Sequence, residues 1–104
     1  MLPIILDVSC LKVAVIGNGL QAVKRLEMLR DADVNEIDIF SPDPGDEIKA
    51  AAGDMVKLHL PSVEDISNYA IIFIANLEAE EVEKLAGQAR EQGVLVNVED
   101  VKPL

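Results

Sequence analysis

The sequence predicts a three-layer α/β fold: a parallel sheet of five strands in the order 3-2-1-4-5, with helices on both faces. Three observations predict it. Apolar runs of strand length alternate with segments of helical period along the whole chain. The clearest runs, Val13-Ala14-Val15-Ile16 and Ala70-Ile71-Ile72-Phe73-Ile74-Ala75, are apolar at nearly every position, as in parallel strands buried on both faces. The first run passes through a glycine turn directly into a helical pattern. Right-handed crossovers then place strands one and four side by side at the centre, where the chain reverses direction, and send helices one and four to opposite faces. At 104 residues, half of them hydrophobic, the chain makes one domain with a core, and a compact five-strand sheet is the most that fits.

Each element follows from its residues. Strand one is expected over residues 12–16. Helix one runs from about Gly19 to Asp31, with Leu20, Val23, Leu26 and Leu29 at helical spacing. Strand two is Glu36-Ile37-Asp38-Ile39-Phe40-Ser41, and Pro42-Asp43-Pro44-Gly45 turns the chain. A short helix from about Asp46 to Ala52 stops near Gly53. Strand three is Val56 to Leu60, ended by Pro61, and Ser62 can cap a helical turn that contains Glu64 and Asp65. Strand four is the run from Ala70 to Ala75. Helix four is expected from about Leu77 to Gln92, with Asn76 as its cap and Gly93 just past its end. Val94 to Val98 forms strand five. Ile4 to Leu6 reads as an extended lead-in. There are no repeats, linkers or low-complexity runs.

Function should gather beyond the carboxyl ends of the strands, where ligands bind in open α/β sheets. Those positions are Gly17 to Gln21, Ser41 to Asp43, Ala75 to Leu77 and Asn97 to Asp100. The first set reads Gly17-Asn18-Gly19-Leu20-Gln21-Ala22, a G-x-G-x-x-A between a strand and a helix, the setting in which this motif signals a Rossmann-like dinucleotide site. Gly17 permits the tight turn, Gly19 lets a pyrophosphate approach bare backbone, and Ala22 lets the helix pack close to the strand. First-turn N–H groups without internal partners, together with the helix dipole, attract phosphate. The competing reading is the same turn with no ligand.

Charge and composition exclude other classes. The net charge is −10, from 9 basic and 19 acidic residues. Residues 31–54 hold eight acids against Lys49 alone. This balance argues against nucleic acid or an anionic membrane as partner and against NADP as cofactor. Cys10 and His59 are the only residues of their kinds, so no disulfide, catalytic triad or Cys/His metal site is expected, and both read as structural. His59 is expected to face solvent from strand three. No span has the length of a membrane helix and the start has no basic leader, so the expected location is the cytoplasm.

The residues also carry a resemblance. Leu2-Pro3-Ile4 followed by Asp7, the segment Lys12 to Arg25 with its Lys24-Arg25 pair, Ser41-Pro42, Ile74-Ala75, and Val94-Leu95-Val96-Asn97-Val98-Glu99-Asp100 together resemble the N-terminal NAD-binding domain of siroheme synthase, the precorrin-2 dehydrogenase family. The resemblance covers the whole chain. It implies an oxidoreductase of siroheme biosynthesis, a porphyrin pathway, which oxidises the tetrapyrrole precorrin-2 to sirohydrochlorin with NAD. It implies that Gly17, Asn18, Gly19, Leu20 and Gln21 line the pyrophosphate, that Ser41, Pro42 and Asp43 lie by the adenosine ribose, and that Ala75 and Asn76 lie near the other end of the cofactor. Asp100 matches the family's catalytic aspartate. The family continues past that aspartate into a segment that forms a homodimer and part of the substrate cleft, and this sequence carries none of it.

The chain departs from the family at several points. Asn18 stands where the family has the middle of three glycines, and Leu20 where an acid is common. Helix one ends in Asp31-Ala32-Asp33 where a glycine is usual.

Dehydrogenation needs a hydride acceptor and a group to take a proton. Asp100, at a strand end, suits the second task. On extended backbone Glu99 and Asp100 point to opposite faces, so only one faces the cleft. Asp43 is placed to accept hydrogen bonds from the adenosine ribose, with Asp38 the weaker candidate because it lies inside strand two. Asn76 reads first as a helix cap. Glu78, Glu80, Glu81 and Glu83 suit the positive end of helix four. The alternative to an enzyme is a stand-alone nucleotide-binding module without catalysis.

Overall fold

The computed structural model describes residues 11–99. Leu2, Pro3, Ile4, Asp7, Cys10 and Asp100, and the readings made of them, lie outside the described residues. Five parallel strands, β1 (Lys12–Gly17), β2 (Glu36–Phe40), β3 (Val56–Lys57), β4 (Ile71–Ala75) and β5 (Leu95–Val98), form one sheet in the order β3-β2-β1-β4-β5. The helices are α1 (Gly19–Asp31), α2 (Gly45–Ala52), α3 (Val63–Ile66) and α4 (Ala79–Glu91), with a 3-10 turn at Gly53–Met55. This is the Rossmann-like α/β fold that the sequence predicts.

Strand alternation divides the core in two. Val13 and Val15 of β1 and Ile39 of β2 pack with Ala22, Val23, Leu26 and Leu29 of α1 and Ile48 of α2. Ala14 and Ile16 point the other way and pack with Phe40, Ile72, Ile74, Ile66 of α3 and Leu85 and Ala89 of α4. Helices one and four therefore cover opposite faces, as expected. Each fully buried branched side chain removes enough apolar surface from water to contribute roughly 1.5–3 kcal/mol. The central strands are buried on both sides and are the stable part of the fold.

Several boundaries differ from the sequence reading. Leu20 is 54% exposed, and Ala22 takes the buried position instead. Six residues before Leu26, Leu20 is far from the buried stripe at 100° per residue. β3 pairs only through Val56 and Lys57, opposite Ile39 and Phe40. β2 ends there, so Leu58 to Leu60 have no partner strand. His59 is accordingly outside the strand; it is exposed, edge-on to Phe40 with the ring centres 5.6 Å apart. Helix four begins at Ala79 with Glu78 in the N-cap position. Asn76 is thus not the cap: it takes a left-handed φ of 55°, and buried Leu77 turns the chain into the core before the helix starts. At the end of α1, Asp33 adopts φ 62° where a glycine is usual. Aspartate tolerates that conformation, and the Asp33 and Val34 N–H groups donate to the carbonyls of Arg30 and Leu29 to close the helix. The capping expectation at Ser62 holds in full. Ser62 Oγ accepts from the Asp65 N–H while the Asp65 carboxylate accepts from the Ser62 N–H, closing a capping box on α3.

Candidate dinucleotide site

The glycine turn joins the ends of the two central strands. Gly17 pairs with Ala75 in the β1–β4 ladder, and the Asn18 N–H donates to the Ala75 carbonyl at 3.2 Å. A Cβ on Gly17 would stand 1.7 Å from that same carbonyl oxygen. No side chain fits, so glycine here is a requirement of the sheet as well as of the turn. Gly19, the first residue of α1, has φ 73°, and a Cβ there would come within 2.9 Å of the Asn76 side-chain amide. Asn76, exposed and left-handed, therefore reaches over the loop from the end of β4.

Asn18 occupies the N-cap position of α1 but makes no side-chain hydrogen bond to the helix. An asparagine there ordinarily caps the N–H of the second or third helical residue. Here the side chain turns toward the end of β2. Assigned from its surroundings, the amide nitrogen donates to Ser41 Oγ at 2.6 Å, to the Asp43 carbonyl at 3.1 Å and to the Gly17 carbonyl at 3.3 Å. Turned the other way, the amide oxygen would accept from Ser41 Oγ at 2.6 Å and from the Asp43 N–H at 3.4 Å but would face the Gly17 and Asp43 carbonyls. Ser41 is fully buried and its hydroxyl oxygen accepts from the Asn18 amide. It acts from behind the surface, while exposed Pro42 and Asp43 lie in front of it.

The first turn of α1 is left open to a ligand. It contains no acid, whereas α2, α3 and α4 each carry two acids in their first turns, Asp46 and Glu47, Glu64 and Asp65, and Glu80 and Glu81. Those acids supply negative charge to their own helix dipoles. At α1 that place is available to an anion from outside, at Leu20 and Gln21, both exposed.

Other residues are placed differently from expectation. Asp38 is engaged by other side chains. It points to the face opposite α1, where Tyr69 Oη donates to it at 2.6 Å and Lys57 Nζ stands 3.9 Å away. Burial, helped by this carboxylate, pushes the Tyr69 phenol above its usual range. Glu99 is half-buried and accepts from Arg25 Nε at 2.8 Å, while the Arg25 guanidinium lies 5.8 Å from the Phe73 ring centre. This tie across the end of the sheet joins residues 74 apart. Its sequence signal is only the strand order together with a basic residue in α1. Nearby cavities, of about 350 Å³ between Leu60–Val63 and α4 and about 480 Å³ beside Lys49 and Val56, are not lined by the glycine loop. The loop's backbone donors and open helix end outweigh cavity size as marks of a site, since a dinucleotide lies across strand ends in an open crevice. Among the described residues, no group of acids, His and Cys could hold a metal ion, and no helix is long and apolar enough to cross a membrane.

Two comparisons with known proteins match this chain. A family model described as "Putative NAD(P)-binding" matches residues 4–104. A solved structure named "SirC, precorrin-2 dehydrogenase" superposes with a TM-score of 0.72 at 24% identity, covering 100% of this chain and 54% of that one. The likeness shows a shared fold, and the chain spans about half the length of that structure. No curated protein matches.

Proposed function

Because the chain belongs to this NAD(P)-binding family, whose model spans residues 4–104, we propose that it binds NAD across the glycine loop and serves the dehydrogenation of precorrin-2 to sirohydrochlorin. The observation that carries the binding reading is the open first turn of α1, behind a loop where two glycines leave bare backbone. The pyrophosphate would lie on the N–H groups of Gly19, Leu20 and Gln21, the adenosine ribose by Asp43, and the nicotinamide end by Ala75 and Asn76. The Asp43 carboxylate accepts hydrogen bonds from ribose hydroxyls and repels a 2′-phosphate, which favours NAD over NADP. The acids of residues 31–54 act in the same direction.

The reaction class rests on the likeness to SirC and on the resemblance of Val94 to Asp100 to the precorrin-2 dehydrogenase strand. Bound NAD would supply the hydride acceptor. This chain would supply placement, and Asp100 would take the proton that leaves the tetrapyrrole as the hydride departs. Glu99 is engaged with Arg25, which leaves Asp100 the better candidate of the pair for the cleft.

Calorimetric titration with NAD and NADP tests the binding reading, and NAD is expected to bind more tightly. Equal or tighter NADP binding would remove Asp43 from the ribose. Binding of neither would leave a fold without this ligand. For the chemistry, Asp100→Ala in the catalytically complete protein is expected to lower sirohydrochlorin formation about a hundredfold or more with NAD affinity nearly unchanged. Wild-type turnover in that variant would exclude the residue. NAD binding with no turnover in any length of the protein would favour a binding module.

A further inference from the structure

We infer that Asn18, the residue standing in place of a loop glycine, determines which ribose the site accepts. The inference rests on the dinucleotide reading above and goes beyond it, because neither the glycine motif nor the acid at the end of β2 calls for a side chain here.

Three observations carry it. First, the Asn18 backbone has φ −130° and ψ 163°, ordinary extended geometry. Nothing in the local conformation requires asparagine or glycine, so the side chain is free to serve another purpose. Second, that side chain leaves the helix it could cap and spans the gap between the β1 loop and the β2 loop, bonding the buried Ser41 hydroxyl and the Asp43 carbonyl. It thereby fixes the distance between the phosphate-binding turn and the residue proposed to hold the ribose. Third, the tie reaches Asp43 through its backbone carbonyl, so the exposed Asp43 carboxylate is not spent on holding it. A carboxylate accepts from a hydroxyl and repels an ionised phosphate, which has no hydrogen to donate.

The Asp43 carboxylate, held in place by Asn18, then stands as an acceptor beside the ribose position. A free 2′-hydroxyl can donate to it. A 2′-phosphate meets a negative charge there, and neither Gly17 to Gln21 nor Ser41 to Asp43 contributes a lysine or arginine to offset it. Asn18 is thus a positioning residue, and Ser41 is its buried anchor.

The test is Asn18→Ala, which the extended backbone accommodates, with NAD and NADP affinities measured by calorimetry on the 104-residue chain. A role limited to stiffening the loop would weaken both dinucleotides by the same factor. Discrimination predicts that the ratio of NAD to NADP affinity falls about tenfold, as loss of the Asp43 anchor would produce. Asn18→Ser, which keeps a short polar group but cannot span to Asp43, should fall between. Thermal melting of each variant separates a folding defect from a binding one. An unchanged ratio in a folded Asn18→Ala that still binds overturns this inference and leaves the dinucleotide reading standing. Failure of the unaltered chain to bind either dinucleotide overturns both.

Discussion

Gly17 and Asn18 are adjacent and are constrained in opposite ways. Gly17 is held by contact: its α-carbon faces the Ala75 carbonyl so closely that a Cβ would stand 1.7 Å away, at φ 150°. Gly17→Ala must push β1 from β4 at the centre of the sheet. It is expected to destabilise the fold by about 3 kcal/mol or more, a large part of the roughly 5–15 kcal/mol typical of a domain. Denaturant unfolding measures this, and a loss below about 1 kcal/mol would show that the strand ends can part. Asn18 is held by hydrogen bonds alone, so its truncation should spare the fold. The first role was legible in the sequence, since a glycine between an apolar strand and a helix marks a tight turn. The second was not. Ser41 and Asp43 lie 23 and 25 residues away, and only pairing of β1 with β2 brings them to Asn18. Asp38 shows the same limit from the other side. Its position inside β2 was legible, but its tie to Tyr69 depends on how β2, β3 and the segment before β4 assemble.

Among the elements, those with their own local signals were readable to within a residue: β1, α1, β4, β5 and the capped turn α3. Those set by a partner were not. β3 is two residues long because β2 ends beside it, and α4 starts late because Leu77 is drawn into the core. The cap of α3 also makes a pH prediction. The Ser62 N–H holds the Asp65 carboxyl below its ordinary value, so the bond stabilises the ionised form. A carboxyl with a lowered folded pKa contributes stability that is present above its unfolded pKa and is lost as pH falls through the folded one. Asp65→Ala should therefore cost about 0.5–1 kcal/mol near neutrality and progressively less below about pH 4. Unfolding curves for both chains, from about pH 6 down to about pH 2.5, measure the gap. A gap independent of pH would mean that the carboxylate takes no part in the cap.

At the scale of the whole molecule, the −10 charge is spread unevenly, and the acids of residues 31–54 lie on either side of β2 along the chain. A 2′-phosphate adds about −1.5 to −2 charge near neutrality. That repulsion acts through solvent and is screened within about 10 Å at about 0.1 M salt. Preference for NAD over NADP should accordingly narrow between about 20 and about 300 mM salt, on the order of a few-fold, without vanishing, because the proposed contact at Asp43 would be too close for salt to screen. Parallel titrations at the two salt concentrations decide it; a constant ratio would leave the acids of the surface without a part in selection. The close approach of Gly17 to Ala75 has one more consequence. There is no room between the two strand ends for even a methyl group, so the glycine loop and the Asn76 turn start from a set separation. A ligand long enough to touch both would find its two points of contact spaced before it arrived.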